Sequence, residues 1–245
     1  MPRLQSAGIL IAVEGIDGSG KTTQVERLRQ LLASADIPVV ASKEPTLGPW
    51  GMRIRESAST GRMSPQDELQ AFINDRTEHV NHLIIPALER GDVVLLDRYF
   101  YSTIAYQGSR GMDHASVRAE METRFPIPDA VFILDVDPAL SIHRISNSRG
   151  EVPNQFEEHS SLAEARRIFN SISMSEGIIR IDGMMSIGAV HQQIVEAFID
   201  GPLKAKRCAK SYGCDDPGHC TFRLNDSCEW LKLRGALSSA HTVPA

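Results

Sequence analysis

The amino-acid sequence predicts an α/β protein, a doubly wound five-stranded parallel sheet flanked by helices, followed by a small cysteine-containing C-terminal extension. Three observations predict it. Short apolar, β-rich runs alternate with stretches of helical periodicity along the first 200 residues, the pattern of a parallel sheet whose crossovers are helices. A glycine-rich segment, Gly15-Ile16-Asp17-Gly18-Ser19-Gly20-Lys21-Thr22, joins the first strand run to the first helical run. All four cysteines fall between 208 and 228, beyond a Gly201-Pro202 break. The chain therefore divides, on sequence, into a domain over 1–200 and a Cys-rich extension over 201–245 whose end, from Ser238, is expected to be disordered.

Taken in order, Ile9-Leu10-Ile11-Ala12-Val13 reads as a buried strand, ended by Glu14. Thr23 to Ala35 carries Val25, Leu28, Leu31 and Leu32 at helical spacing. Ile37 to Ala41 predicts the second strand, running into Lys43-Glu44-Pro45. Residues 66–90 predict one long helix with Leu69, Phe72, Ile73, Val80, Leu83, Ile84 and Leu88 on a stripe. Arg76 interrupts that stripe, and a charge on an apolar face implies a paired partner or a ligand. Val93 to Leu96 is the third strand and delivers Asp97-Arg98-Tyr99 at its carboxyl end, where open α/β sheets bind ligands. Ala130–Asp135 and Gly177–Ile181 are the fourth and fifth strands. Helices are expected over about 100–108, 114–123, 138–147, 159–174 and 187–199.

Composition narrows the class. Of 245 residues, 42% are hydrophobic and 23% charged, as in an ordinary globular protein. A net charge of −5 argues against a general polyanion-binding surface, so no nucleic-acid partner is expected. No apolar run approaches the roughly 18 residues of a membrane span. The N-terminal run is interrupted too early by Glu14 for a signal peptide, so the expected location is the cytoplasm.

The segment from Gly15 to Thr22 matches the phosphate-binding loop pattern, between a strand and a helix as that loop requires. In such a loop the glycines let backbone N–H groups curl around phosphate oxygens at a helix N-terminus. Gly15, Asp17, Gly18, Ser19, Gly20, Lys21, Thr22 and Thr23 are the expected nucleotide-binding residues of a P-loop NTPase domain. Lys21 reaches the β- and γ-phosphates, and the Thr22 hydroxyl ligates Mg²⁺. Asp97 has two readings, a carboxylate that supports the magnesium and a helix N-cap. Arg55, Arg76 and Arg98, on three different elements, are candidates to hold a second phosphate-bearing substrate.

Glu14 to Thr23, Lys43-Glu44-Pro45, Ile54-Arg55-Glu56, Phe72 to His79, Asp97-Arg98-Tyr99 and Ser102 to Gly108 together resemble the thymidylate kinase family. Leu134-Asp135-Val136 and Ile181-Asp182-Gly183 extend the likeness over about residues 8–199. The Phe-x-x-Asp-Arg-x-x-His and Asp-Arg-Tyr…Ala-Tyr-Gln-Gly strings are more specific than the phosphate loop. The resemblance implies transfer of the ATP γ-phosphate to dTMP, with Mg²⁺, by a homodimer. It implies that Phe72 stacks on thymine and Arg76 bonds a base carbonyl. Thr103 and Gln107 approach the base and sugar, and Tyr106 crowds the 2′-position. By the same resemblance Glu44 belongs to the acceptor site, Arg55 and Arg98 hold the acceptor phosphate, and Asp17 lies near the 3′-hydroxyl. Phe72 also fits a plain core position on its helical stripe.

The chain departs from the family pattern at Lys43, at Tyr101 and in the lid segment 147–157. The lid carries Asn154-Gln155-Phe156-Glu157 where the family has an arginine, and Arg149 is the expected substitute. With Lys21, Asp17 and Arg98 it completes the catalytic set. The alternative functions are a kinase for another deoxynucleotide and a regulatory nucleotide-binding protein. In the extension, Cys208, Cys214, Cys220 and Cys228 are separated by five, five and seven residues, which is no C-x₂-C zinc pattern. Four clustered thiols in a cytosolic chain favour metal, zinc ahead of iron–sulfur, over free thiols and then disulfides.

Overall fold

A computed structural model of the chain describes residues 8–149, 159–208 and 233. Five strands form one all-parallel sheet: β1 (Ile9–Glu14), β2 (Val39–Lys43), β3 (Val93–Asp97), β4 (Ala130–Asp135) and β5 (Ile178–Asp182), in the order β2-β3-β1-β4-β5. The chain winds from β1 towards β2 and later crosses β1 to reach β4, so the direction of winding reverses beside β1. A crevice opens there at the carboxyl ends of the strands. Register puts Val13 beside Asp97 and Glu14 beside Ile133, which brings the ends of β1, β3 and β4 together.

Side chains along the central strands alternate between two apolar layers. Leu10, Ala12, Val94, Leu96, Val131 and Ile133 face one layer, filled by helices α3 (Pro65–His79), α5 (Phe100–Gly108), α6 (His114–Arg124) and α8 (His159–Ile172). Ile9, Ile11, Val13, Val93, Leu95 and Phe132 face the other, filled by α1 (Lys21–Ser34) and α9 (Ile187–Phe198). The central strands are buried on both faces, which is why they read as unbroken apolar runs rather than alternating ones.

The strands and most helices lie within two residues of their expected bounds. Three features differ. Helix α2 (Pro49–Thr60) was not legible as a helix, because its buried positions are only Gly51, Ile54 and Ser57 and leave no apolar stripe. The stretch read as one helix over 66–90 is α3, a π-helical turn (Val80–Ile84) and a short α4 (Ile85–Glu89). Pro86 lacks an N–H and its ring crowds the carbonyl four residues back, and the wider turn just before it relieves that conflict. Finally, the chain does not stop packing at Gly201-Pro202. A π-helical segment, Ile199–Cys208, continues from α9, and Leu203 and Leu233 are buried in the second apolar layer. Lys206 there bonds the Gly8 carbonyl and pairs with Asp129 at 2.8 Å. Helix α7 (Pro138–Arg149) leads to the lid, whose residues 150–158 lie outside the described residues.

Candidate active site

The phosphate loop follows β1 into the crevice. Gly15 has φ +136°, and a Cβ there would sit 2.6 Å from the Leu134 carbonyl oxygen, so the loop needs glycine to pass β4. Gly18, at φ +72°, is pressed against the Ser141 backbone of α7 in the same way. Gly20 is the N-cap of α1, with no side-chain cap and no acidic residue in the first turn. The positive end of α1 therefore faces the crevice with no carboxylate of its own to neutralise it. Lys21 is buried and folds onto the loop, its Nζ donating to the carbonyls of Ile16 at 2.7 Å and Gly15 at 3.0 Å. Burial, with Arg98 nearby, pulls its ammonium down to about 7.

Asp97 closes β3 and its Oδ2 accepts from the Thr22 hydroxyl at 2.5 Å and pairs with Lys43 at 3.3 Å. Burial opposes its charge, yet Lys21, Arg98 and Lys43 hold its carboxyl below the usual carboxylate range. Its Oδ1 is buried without a hydrogen-bond partner among the described residues. A carboxylate bridged to the loop threonine with one open lone-pair oxygen fits a hydrated magnesium ion. The rival N-cap reading fails: α5 begins after Tyr99, which makes no side-chain cap, and Asp97 bonds α1 instead.

The cap of α5 comes from β1. Glu14, 0% exposed, accepts from the backbone N–H of Tyr99 at 2.7 Å and of Ser102 at 3.3 Å. Its second oxygen takes the Ser102 hydroxyl at 2.6 Å. Burial pushes the carboxyl up to about 7, with the Ser102 bond and the Arg98 charge opposing. Sequence reasoning gave Glu14 no role. The available signal was a carboxylate closing a fully apolar strand.

Beside the loop lies a cavity of about 330 Å³ whose wall includes Asp17, Glu44, Arg55, Phe72, Arg76, Arg98, Thr103 and Tyr106. Eight of the nine residues expected to touch the acceptor or its sugar thus line one chamber, and the three arginines converge on it. Gln107 does not. It is fully buried behind the wall, and its amide donates to Glu68 at 2.6 Å. Arg62 and Arg110 also pair with Glu68, so Gln107 belongs to a buried polar knot tying α5 to α3.

Arg76, 1% exposed, has the partner its place on the stripe implied. Its guanidinium pairs with Glu44 at 2.6 Å and donates to the Thr103 hydroxyl at 3.0 Å. It also lies over the rings of Tyr99 and Phe125. Glu44's other oxygen meets His79 at 2.9 Å, and the Arg76 charge together with the His79 hydrogen bond outweighs the burial that opposes its own charge. Phe72 is half-buried on the cavity wall and in neither core layer, so its place is not a plain core position. Arg55 bonds the carbonyls of Pro45 and Thr46, the loop that Asp75 grips through Thr46. Arg98 sits at φ +74°, uncommon for a side chain of this size, with its backbone N–H on Val13 and its guanidinium on Asp17 and Ser102. Burial works against its charge, but Asp17 and then Tyr106 keep its pKa above the ordinary arginine value. Tyr106 donates to Asp17 at 3.0 Å and accepts from the Asp17 N–H at 3.1 Å, so Asp17 ties the loop to the cavity.

Arg149 ends α7, but its side chain lies outside the described residues, as do the rest of the lid and Cys214, Cys220 and Cys228; of Cys208 only the backbone is described. Among the described residues no three His, Cys, Asp or Glu side chains cluster to hold a metal ion, and no helix is long and apolar enough to cross a membrane.

A phosphate loop joined through one aspartate to an arginine-lined chamber is the layout of a two-substrate phosphotransferase. Comparison with known proteins agrees. The family profile described as thymidylate kinase matches residues 13–194. The thymidylate kinase of Xanthomonas oryzae pv. oryzae strain PXO99A is 48% identical over 171 residues, 70% of this chain and 74% of that protein. That of Akkermansia muciniphila is 48% identical over 175 residues, 71% and 84% of the two chains. On this profile and these identities, the chain belongs to the thymidylate kinase family.

Proposed function

We propose that the protein transfers the γ-phosphate of ATP to dTMP, giving ADP and dTDP. The observation that carries this reading is the chamber itself: one wall set with Phe72 for a flat base, Arg76 for its edge, and Arg55 and Arg98 for a phosphate, Arg98 also touching Gly15 and Asp17 of the phosphate loop. ATP binds along the loop, with Lys21 leaving the Gly15 and Ile16 carbonyls for the β- and γ-phosphates. Thr22 and Asp97 would hold Mg²⁺, which neutralises charge on those phosphates when bound. An oxygen of the acceptor phosphate attacks the γ-phosphorus in line, the bond to the β-phosphate oxygen breaks, and no covalent enzyme intermediate forms. Lys21, Arg98 and Arg149 meet the charge that spreads over the transferring oxygens. Tyr106 crowds the sugar edge and disfavours a 2′-hydroxyl, while Asp17 lies near the 3′-hydroxyl. Gln107 acts indirectly, through the Glu68 knot. A homodimer in the cytoplasm, and a zinc ion on Cys208, Cys214, Cys220 and Cys228, complete the proposal; elemental analysis of protein purified without added metal tests the last.

The experiment is a coupled ADP-release assay over a panel of nucleoside monophosphates. We expect dTMP to give the highest kcat/KM. Faster turnover of AMP or GMP would overturn the base-site assignment. Within the same assay Arg149→Ala should lower kcat towards the ~10³-fold or larger loss of a missing phosphate arginine, with little change in either KM. Full activity would place that charge elsewhere.

A further inference from the structure

We propose that Glu14 and Ser102 form a positioning pair that sets Arg98, and so couples the phosphate loop to the acceptor chamber. The proposal deepens the phosphotransfer reading and rests on it, since Arg98 matters as a phosphate clamp.

Arg98 is held in a left-handed backbone conformation that a side chain of its size adopts only where its surroundings dictate it. Two anchors dictate it. The Arg98 N–H bonds the Val13 carbonyl at 3.1 Å, and the following Tyr99 N–H bonds Glu14 at 2.7 Å, so β1 grips both sides of the turn. The side chain is then aimed by a relay. The Ser102 hydroxyl gives its only proton to Glu14 at 2.6 Å, which leaves its lone pairs turned to Arg98 Nη1 at 3.1 Å. That same nitrogen lies 3.4 Å from the Gly15 carbonyl, within the loop. Because Glu14 immediately precedes Gly15, any movement of the loop start shifts the carboxylate that orients Arg98.

A carboxylate is the group this relay needs. In the ionised form, which the Ser102 bond and the Arg98 charge favour, both Glu14 oxygens accept and neither can donate, so the serine proton has one place to go. An amide in its place still accepts the two backbone N–H groups with its oxygen. Its NH₂ then faces Ser102, forces the hydroxyl to accept from both sides, and leaves the serine proton without a partner. Cap and relay are thereby separable by mutation.

The test uses the full chain with Glu14→Gln, Ser102→Ala and the double variant. For each, kcat, both KM values, the ATP Kd and the melting temperature are measured. We expect each single change to lower kcat about 10- to 100-fold, the scale of a misplaced reacting group. ATP Kd should stay within about twofold, and the double variant should be no slower than the worse single one, as for residues acting through one path. In isotope-labelled protein the Arg98 guanidinium signals should broaden in both single variants. Near-normal kcat in either folded variant, or losses that multiply in the double, would overturn the pair and leave Glu14 a helix cap only. Should the unmodified chain fail to phosphorylate dTMP, the functional reading falls, and the Arg98 signals still decide the relay.

Discussion

Two helices, α1 and α5, begin within the same crevice and treat their N-termini in opposite ways. Helix α1 starts at Gly20 with no side-chain cap and no acid in its first turn. Helix α5 starts at Tyr99, also without a cap of its own, but Glu14 reaches from β1 to take its leading N–H groups. Away from the crevice the rule is different again. Ser64, Asp113 and Ser186 cap α3, α6 and α9 locally, as a sequence reader expects. At α1 and α5 the missing local cap goes with the site, and the two kinds of vacancy have different fates. One is left for an anion that arrives; the other is filled by a carboxylate already in the fold, which frees α5 to hold Arg98 rather than a ligand.

The most damaging way to break this contrast is at α1. Lys21→Ala should cut kcat by on the order of 10²–10³, the scale of removing one preorganised donor from a transition state. Loss of melting temperature should be small, because a buried ammonium held only by neutral loop oxygens of Gly15, Ile16 and Ser19 adds little to stability. A rapid-quench measurement of phosphoryl transfer reads the effect free of product release.

A subtler change imitates on α1 what Glu14 does for α5. Thr23→Asp places a carboxylate in the first turn of α1, at an exposed position. The helix should gain about 0.3–1 kcal/mol from its macrodipole, while ATP affinity falls about tenfold as the acid competes with phosphate for the same N–H groups and the same positive end. Stability up and affinity down, by denaturant titration and calorimetry, is the expected pair; an unchanged Kd would mean that the N-terminus of α1 does not meet the anion.

The charge of Lys21 gives a pH test. Its ammonium titrates near 7 in the free protein, with Arg98, Asp17, Asp97 and Glu14 as its charged neighbours. Bound triphosphate favours the protonated form, so ATP binding should take up protons between about pH 7 and 8.5, approaching one per site at the upper end. Affinity should weaken as pH rises through that window. Calorimetry in buffers of different ionisation enthalpy counts the protons, and Lys21→Met should abolish the uptake.

The smallest effects belong to the locally capped helices. Ser186→Ala and Ser64→Ala should each cost about 1 kcal/mol of stability and leave kcat and both KM values unchanged. A kinetic effect at either would weaken the distinction between capped and site helices.

Much of this molecule is written locally. Apolar runs buried on both faces identify β1, β3 and β4, and the glycine spacing before Lys21 identifies the loop, so strand order aside, the sheet and the loop follow from sequence alone. The family strings likewise included residues of the chamber wall, since Phe72, Arg76, Thr103 and Tyr106 stand inside them and line the cavity. What needed tertiary structure is whatever depends on partners far apart in the chain. Gln107 carried the right motif but faces Glu68, 39 residues away, because α5 turns that face toward α3. Helix α2 gave no stripe, since only Gly51, Ile54 and Ser57 on it are buried, and its Arg55 turns to the Pro45 and Thr46 carbonyls. Glu14 looked like the end of a strand; only the register of β1 against β3 sets it 2.7 Å from Tyr99, 85 residues on, and makes an interrupting charge the cap of a helix. Local propensity and spacing decide which elements form. Which of their polar groups meet is decided by strand order and register, which bring together residues that the sequence keeps far apart.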